Sequence, residues 1–140
     1  MRITKLRRAR LIPTTASYML PELFPELLKG ADAPRDPSIW ELSRFATECQ
    51  KNGQGRMVGF SETTVELLDA ILAFSHQNCI ERLLLVTSIA VERLLLHSGL
   101  RAHRLGVPAK LGGSLSVAIL IDVPNISFKT LNARGIMQAI

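Results

Sequence analysis

One acidic and one basic side chain lie three residues apart in the segment WELSRFA, residues 40–46, among apolar neighbours. A carboxylate near a guanidinium can accept a proton in a catalytic site, and it can equally form an ordinary ion pair on a protein surface. In a helix, Ser38 would be the N-cap and Glu41 would complete a capping box. Glu41 and Arg44 would then pair across one turn for about 0.2–0.5 kcal/mol. Taken alone, these residues predict the start of a helix.

Basic residues form two groups that contain no acid. The first group lies within the first ten residues and consists of Arg2, Lys5, Arg7, Arg8 and Arg10. The second consists of Arg101, Arg104 and Lys110, and the net charge of the chain is +5. A basic surface attracts polyanions, so an acidic protein or a phosphorylated cofactor fits it, and a solvated surface without a partner is an equal alternative. We expect no nucleic acid, because the chain has one Trp and one Tyr and no aromatic residue among the basic ones.

Length and composition indicate a single globular domain over residues 1–140, with 47% hydrophobic residues to form a core. The apolar runs, such as residues 83–86 and 117–121, are too short to span a bilayer. The basic N-terminus is not followed by an apolar stretch of signal-peptide length. Cys49 and Cys79 match no metal-binding spacing, so we expect two reduced thiols without a disulfide partner, no metal ion and a cytoplasmic location.

The pattern of apolar residues predicts a succession of strands and helices. Strands are predicted over residues 7–12 before Pro13, over 81–88, and over 114–123 before Pro124. Helices are predicted over residues 21–30, from a cap at Ser61 to about Asn78, and over 89–98 before Gly99. Residues 50–59 are predicted to be a surface loop and residues 124–140 a loosely attached tail. Strand, helix and strand in succession indicate a βαβ-like unit and an α/β sandwich.

Several longer blocks closely resemble the acyl-homoserine-lactone synthases, the autoinducer synthases of bacterial quorum sensing. The most specific are RLIPTTASYML, residues 10–20, and WELSRF, residues 40–45, and the likeness extends from about Ala9 to Val123. The resemblance implies a three-layer α/β/α sandwich of the acetyltransferase type. It also implies a reaction in which S-adenosylmethionine, a substrate and not a prosthetic group, is acylated from acyl carrier protein. Lactone closure then releases methylthioadenosine.

The resemblance assigns roles around WELSRFA and makes this segment a strand of the central sheet. Glu41 matches the family's proposed proton acceptor, Arg44 and Arg10 match arginines that hold acidic groups, and Phe45 matches the S-adenosylmethionine pocket, with a place in the core as its alternative. Side chains three apart in a regular strand point to opposite faces. We therefore expect a bulge near Leu42 and Ser43, which would bring Glu41 and Arg44 together.

An acyl chain requires an apolar tunnel. The resemblance places Val65, Val91, Leu95 and Leu100 near it, and strand alternation would put Leu83, Leu85 and Thr87 on one face. Residues of this kind are more often part of an ordinary core than of a ligand pocket, and in this fold they can be both. Several family members have threonine at the position of Leu85, a feature associated with 3-oxo chains, so leucine predicts an unsubstituted chain.

A basic face would orient an acidic acyl carrier protein during docking. Its candidates are Arg93, Arg101, Arg104 and Lys110, whereas His97 and His103 are expected to be surface residues. Full-length family members have an additional N-terminal region that completes the S-adenosylmethionine pocket, and we expect this chain to lack it. The alternatives are therefore an inactive remnant that still binds acyl carrier protein, and an acetyltransferase-like enzyme that uses acyl-CoA.

Overall fold

The structure is a computed structural model that describes residues 4–6, 9–43, 49–51, 53–54 and 57–138. Its strands are β1 (Thr4–Leu6), β2 (Ala9–Pro13), β3 (Ile39–Ser43), β4 (Cys49–Lys51), β5 (Met57–Phe60), β6 (Arg82–Ser88), β7 (Ala102–Arg104), β8 (Ala109–Leu111) and β9 (Ser114–Asp122). Its helices are α1 (Met19–Leu23), α2 (Glu62–Gln77), α3 (Ile89–His97) and α4 (Phe128–Gln138), and a 3-10 turn spans Pro25–Leu27.

Seven strands form the main sheet in the order β1-β2-β3-β6-β9-β7, and β8 also pairs with β9. Of the described strand pairs in this sheet, only β3 and β6 run parallel, in a register from Ile39 opposite Arg82 to Leu42 opposite Leu85. The predicted βαβ-like unit from β6 through α3 to β9 is wrong, because these strands pair antiparallel. The parallel crossover lies earlier in the chain, from β3 through β4, β5 and α2 to β6.

The segment WELSRFA begins as a strand, so the prediction of a helix start is wrong, and the resemblance is confirmed on this point. Ser38 does not cap a helix, because strand β3 begins at the next residue, and its hydroxyl instead donates to Oδ1 of Asp36 at 2.7 Å. The ladder between β2 and β3 runs without a register shift from Pro13 opposite Trp40 to Arg10 opposite Ser43. The expected bulge at Leu42 and Ser43 is therefore wrong, and Arg44 and Phe45 lie outside the described residues.

The two faces of the main sheet bury different clusters. The three-helix face carries Leu42, Leu83 and Leu85, and side chains of α2, α3 and α4 pack on it. The opposite face, called the Glu41 face below, carries Ile39 and Leu84 and packs against α1 and the 3-10 turn. Because side chains alternate along each strand, every central strand contributes to both clusters. The expected three-layer α/β/α arrangement is confirmed.

Serine caps set the starts of α2 and α3, two of the three helices that pack on the three-helix face. The hydroxyl of Ser61 accepts from the N–H of Thr64, and that of Ser88 accepts from the N–H of Val91, both at 3.2 Å. α2 ends at Gln77 and is followed by Cys79 in the left-handed conformation, with φ of 58°. The helix and strand predictions for residues 61–99 are thus confirmed to within two residues.

Two predictions for irregular segments are wrong. Residues 50–59 contribute to the β4–β5 pair instead of forming a loop throughout. Residues 124–138 are not a loose tail, because they include α4, whose Phe128 is fully buried in the cluster of the three-helix face. α4 also approaches α3 closely at Gly135, where a Cβ atom would lie 2.3 Å from the carbonyl oxygen of His97. Within the described residues, no helix has the length and apolar character needed to cross a membrane.

Candidate active site

Glu41 lies in the middle of β3 and its side chain is buried, with 2% of its surface exposed. Its two oxygens point to the start of α1: Oε1 accepts from the backbone N–H of Met19 at 2.9 Å, and Oε2 accepts from that of Leu20 at 3.0 Å. The first N–H groups of a helix have no partner within the helix. The Glu41 carboxylate therefore caps α1 from a distant strand.

Burial raises the pKa of Glu41 above its ordinary value of 4.5, because a charged carboxylate loses solvation inside the fold. The N–H groups of Met19 and Leu20 act in the opposite direction, and the negative charge of Glu22 in α1 adds to the rise in pKa. A buried carboxylate with a raised pKa can accept a proton closer to neutral pH than an exposed glutamate can. This environment suits the role that the resemblance assigns to Glu41.

Arg10 is the second predicted site residue, and it lies on the strand next to Glu41. Arg10 is opposite Ser43 in the β2–β3 ladder, two residues along each strand from Ile12 and Glu41. Because directly opposite side chains of an antiparallel pair share a face, Arg10, Glu41 and Ser43 all lie on the Glu41 face. Sequence analysis missed Ser43, although its spacing of two residues from Glu41 on a strand was a usable signal.

Two buried polar atoms at this position lack hydrogen-bond partners. In the part of the chain that the structure describes, they are Nε of Arg10 and Oγ of Ser43. An unsatisfied buried donor costs about 1–3 kcal/mol, so such atoms are rare unless a ligand completes them. Arg44 and Phe45, the other two residues predicted here, lie outside the described residues.

The residues predicted to line an acyl tunnel gather on the three-helix face. Leu85 of β6, Val91 and Leu95 of α3, and Leu100 are buried in one cluster, and Val65 of α2 packs against it. Thr87 follows Leu85 by two residues and is half-buried. Leu85 is opposite Leu42 in the parallel pair, so both side chains lie on the three-helix face. Glu41 precedes Leu42 and therefore points to the other face, so the sheet separates it from these residues.

The four predicted carrier-docking residues are all exposed, but they differ in their contacts. Arg104 of β7 forms two hydrogen bonds to Glu92 of α3, from Nε to Oε2 at 2.9 Å and from Nη2 to Oε1 at 2.8 Å. This bond pair lowers the pKa of Glu92 from its ordinary value of 4.5. The side chains of Arg93, Arg101 and Lys110 are exposed. Sequence analysis missed Glu92 as a partner because the pair forms between elements 12 residues apart.

No group of three or more potential metal ligands occurs among the residues that the structure describes. Cys79 is a free, exposed thiol after α2. The candidate site therefore consists of a buried carboxylate with a neighbouring guanidinium and hydroxyl on one face of the sheet, and an apolar cluster on the other. Both lie beside the parallel β3–β6 pair, on opposite faces of it.

Residues 5–131 match the family model described as autoinducer synthase. The chain is also similar to a curated acyl-homoserine-lactone synthase of Pseudomonas aeruginosa, with 43% identity over 114 residues. That alignment covers 81% of this chain and 55% of the relative.

Two solved structures have the same fold. The crystal structure of the AHL synthase LasI matches with a TM-score of 0.73 and 39% identity, over 91% of this chain and 62% of that chain. The CoA-dependent acyl-homoserine lactone synthase BjaI, solved with SAM and isopentyl-CoA, matches with a TM-score of 0.72 and 25% identity, over 91% of this chain and 57% of that chain. The chain thus spans less than two thirds of the length of each of these relatives.

Proposed function

We propose that this chain, which belongs to the autoinducer synthase family, acylates S-adenosylmethionine and closes the product to an acyl-homoserine lactone. The observation that carries the proposal is the buried Glu41 carboxylate with its raised pKa, on the same sheet face as Arg10. A primary amine attacks a thioester only when it is neutral, so the site needs a proton acceptor. Glu41 has the environment for that task.

The chemistry proceeds in two steps. The neutral amino nitrogen of S-adenosylmethionine attacks the thioester carbonyl, an amide bond forms, and the thiol of the acyl donor leaves with a proton. The carboxylate of the acylated substrate then attacks its own γ-carbon and expels methylthioadenosine, which closes the lactone. Glu41 accepts the proton that the ammonium form loses to become the attacking amine, and the second N–H proton, released when the amide forms, leaves on the thiol. Glu41 can accept a proton because each carboxylate oxygen has a second lone pair beyond the one used by α1.

Arg10 holds charge at the site, since a guanidinium can position carboxylates through paired hydrogen bonds. By resemblance, Arg44 shares this task and Phe45 contacts S-adenosylmethionine. Val65, Leu85, Thr87, Val91, Leu95 and Leu100 line the acyl-chain pocket. The apolar cluster to which most of them belong supports this assignment, because an acyl chain is bound by burial of apolar surface.

We further propose acyl carrier protein as the acyl donor and a cytoplasmic location for the reaction. The exposed side chains of Arg93, Arg101 and Lys110 support this donor, because basic side chains accelerate the docking of an acidic protein. The fourth candidate, Arg104, is exposed as well, but its charge is offset by the bidentate pair with Glu92. BjaI is CoA-dependent, so acyl-CoA is the donor against which carrier protein has to be tested.

The test is a reaction of the purified chain with S-adenosylmethionine and either acyl carrier protein loaded with defined acyl chains or the matching acyl-CoA. Mass spectrometry would detect the lactone and methylthioadenosine. Lactone from the carrier-bound donor supports both proposals, and lactone from acyl-CoA alone contradicts the choice of donor. No lactone from either donor, alongside binding of acyl carrier protein, would identify the chain as an inactive carrier-binding relative.

A further inference from the structure

Among the residues that the structure describes, only Ser43 has a buried hydroxyl without a hydrogen-bond partner. Its side chain is 8% exposed and lies on the Glu41 face, at the described end of β3. Other buried hydroxyls of the described chain are bonded: Ser75 donates to the carbonyl of Ile71 at 2.8 Å, and Ser98 donates to that of Leu95 at 2.7 Å. The fold thus satisfies its structural hydroxyls and leaves Ser43 available.

The second unpartnered atom is on the strand beside it. Nε of Arg10 is buried without a partner in the described chain, and Arg10 and Ser43 are directly opposite each other in the β2–β3 ladder. Residues so placed have Cα atoms roughly 4.5–5.5 Å apart, and their side chains are on the same face. Two hydrogen-bond donors, one of them on a cation, are therefore adjacent to each other and two residues from Glu41.

Donors of this kind match one chemical group, an oxygen that carries negative charge or develops it during a reaction. Glu41 is already bonded through both oxygens to the N–H groups of Met19 and Leu20. Neither Nε of Arg10 nor Oγ of Ser43 bonds to Glu41 in the described chain, so a substrate bound beside Glu41 can supply the acceptor that both atoms lack.

We propose that Ser43 contacts substrate, and that its O–H and the Nε–H of Arg10 together bind one substrate oxygen. This inference rests on the proposed function and adds Ser43 to the residues that execute it. The oxygen belongs either to the carboxylate of S-adenosylmethionine or to the thioester carbonyl of the acyl donor. Both oxygens can accept these hydrogen bonds. Loss of the Ser43 hydroxyl distinguishes them, because it weakens either the binding of S-adenosylmethionine or the reaction at the thioester.

The experiment compares Ser43→Ala with Ser75→Ala, two buried serines of which one is unpartnered and one is bonded. Binding of S-adenosylmethionine is measured by calorimetry without acyl donor, and kcat and KM are measured with both substrates. If the carboxylate is the acceptor, Ser43→Ala weakens S-adenosylmethionine binding roughly tenfold. If the thioester carbonyl is the acceptor, that binding is unchanged and kcat falls roughly tenfold or more.

A thermal melt provides a reading that does not depend on activity. Ser43→Ala should leave Tm unchanged or raise it, because it removes a hydroxyl that the fold does not satisfy, whereas Ser75→Ala should lower Tm because it removes a bonded one. Arg10→Lys keeps the charge, places no N–H at the position of Nε, and should reproduce the functional loss of Ser43→Ala.

The inference is overturned if wild-type protein is active and Ser43→Ala stays within about twofold of it in binding and kcat. A lower Tm for Ser43→Ala, equal to that of Ser75→Ala, would also overturn it, since the hydroxyl would then be bonded within the fold. A wild-type protein that neither binds S-adenosylmethionine nor forms lactone would reject the proposed function itself, and this inference with it.

Discussion

Among the residues that the structure describes, each side of the central sheet holds one buried glutamate, and the two glutamates have opposite environments. Glu41 receives two backbone N–H groups from α1 and no described cation, and its burial raises its pKa. Glu92, in α3 over the three-helix face, receives a guanidinium fork from Arg104, which lowers its pKa. A carboxylate that is to accept a proton must be kept from a full countercharge, whereas one that fastens a helix to a strand benefits from it.

Under the proposed function, the Glu41 face carries out the chemistry, whereas the three-helix face provides stability and the apolar pocket for the acyl chain. Substitutions on the Glu41 face should change turnover more than stability, and those on the three-helix face should do the opposite.

The largest expected effect is the loss of turnover in Glu41→Gln. An amide cannot accept the proton of the amine, so kcat should fall by about 10²–10⁴-fold. Folding should suffer as well, since the NH₂ of glutamine would oppose an N–H at the start of α1, at a cost of about 1–3 kcal/mol. Steady-state lactone formation and urea unfolding measure the two effects. Glu92→Gln is the matched control, and it should keep kcat within about threefold of wild type because Glu92 lies outside the proposed site.

An active Glu41→Gln protein would contradict the division between the two faces and leave Glu41 with only its role as a cap for α1. If Glu92→Gln lost as much turnover as Glu41→Gln, the two glutamates would be equivalent and the comparison would fail.

The next largest effect is on the three-helix face, at the contact between α4 and α3. Gly135→Ala would place a Cβ atom 2.3 Å from the carbonyl oxygen of His97, so the helices must move apart. Overpacking of this kind costs about 1–3 kcal/mol, more than alanine gains in helix propensity. Gly59→Ala is the control, because a Cβ atom there meets nothing within 4 Å. Urea denaturation should show a clear loss for Gly135→Ala alone, and equal midpoints would contradict the close contact.

A smaller effect, opposite in sign on the two sides, is expected in the pH dependence of stability. Folding raises the pKa of Glu41, so its contribution is complete below the ordinary value of 4.5 and is lost as pH rises through the raised value. Folding lowers the pKa of Glu92, so its contribution is present above 4.5 and is lost as pH falls through the lowered value.

Urea midpoints of wild type, Glu41→Gln and Glu92→Gln between acidic and neutral pH would resolve the two contributions. In a plot of urea midpoint against pH, Glu41→Gln should reduce the slope above pH 4.5, and Glu92→Gln should reduce it below that pH. Two variants that flatten the same part of the curve would show that the two carboxylates have the same environment.

Much of this fold is predictable from the sequence where local chemistry determines it. Ser61 caps α2 because its hydroxyl meets an N–H three residues on, and Pro13 ends β2, so both boundaries follow from nearby residues. The segment 39–43 is different. Its helix signals are all local, whereas the β2 and β6 neighbours that make it a strand come from distant parts of the chain. Pairing with distant strands overrides the local helix propensity, so only the family resemblance identified this strand from the sequence.

The candidate site shows the same limit. Its most informative contacts join residues far apart in the chain: Glu41 and Met19 are 22 positions apart, and Arg10 and Ser43 are 33 apart. No spacing rule reaches that far, so the cap on α1 and the free hydroxyl of Ser43 became visible only in three dimensions. α4 was missed for a related reason: its polar sequence has little periodicity, and it is held by the burial of Phe128 and the close approach at Gly135.

The smallest expected effect concerns which acyl chain the three-helix face accepts. Leu85 is 3% exposed within the apolar cluster and presents no hydrogen-bond donor, so a 3-oxo group there would lose its water without gaining a partner. Leu85→Thr supplies a hydroxyl at the same position of β6 and should shift the product ratio toward 3-oxo chains by about tenfold or less. Competition between matched unsubstituted and 3-oxo donors, analysed by mass spectrometry, gives that ratio directly. Leu85→Val is the control, because it shortens the side chain without adding a donor and should change the preferred length but not the ratio. An unchanged ratio in Leu85→Thr would remove Leu85 from the chain pocket and leave it a core residue, and selection of the acyl chain would then belong to other residues.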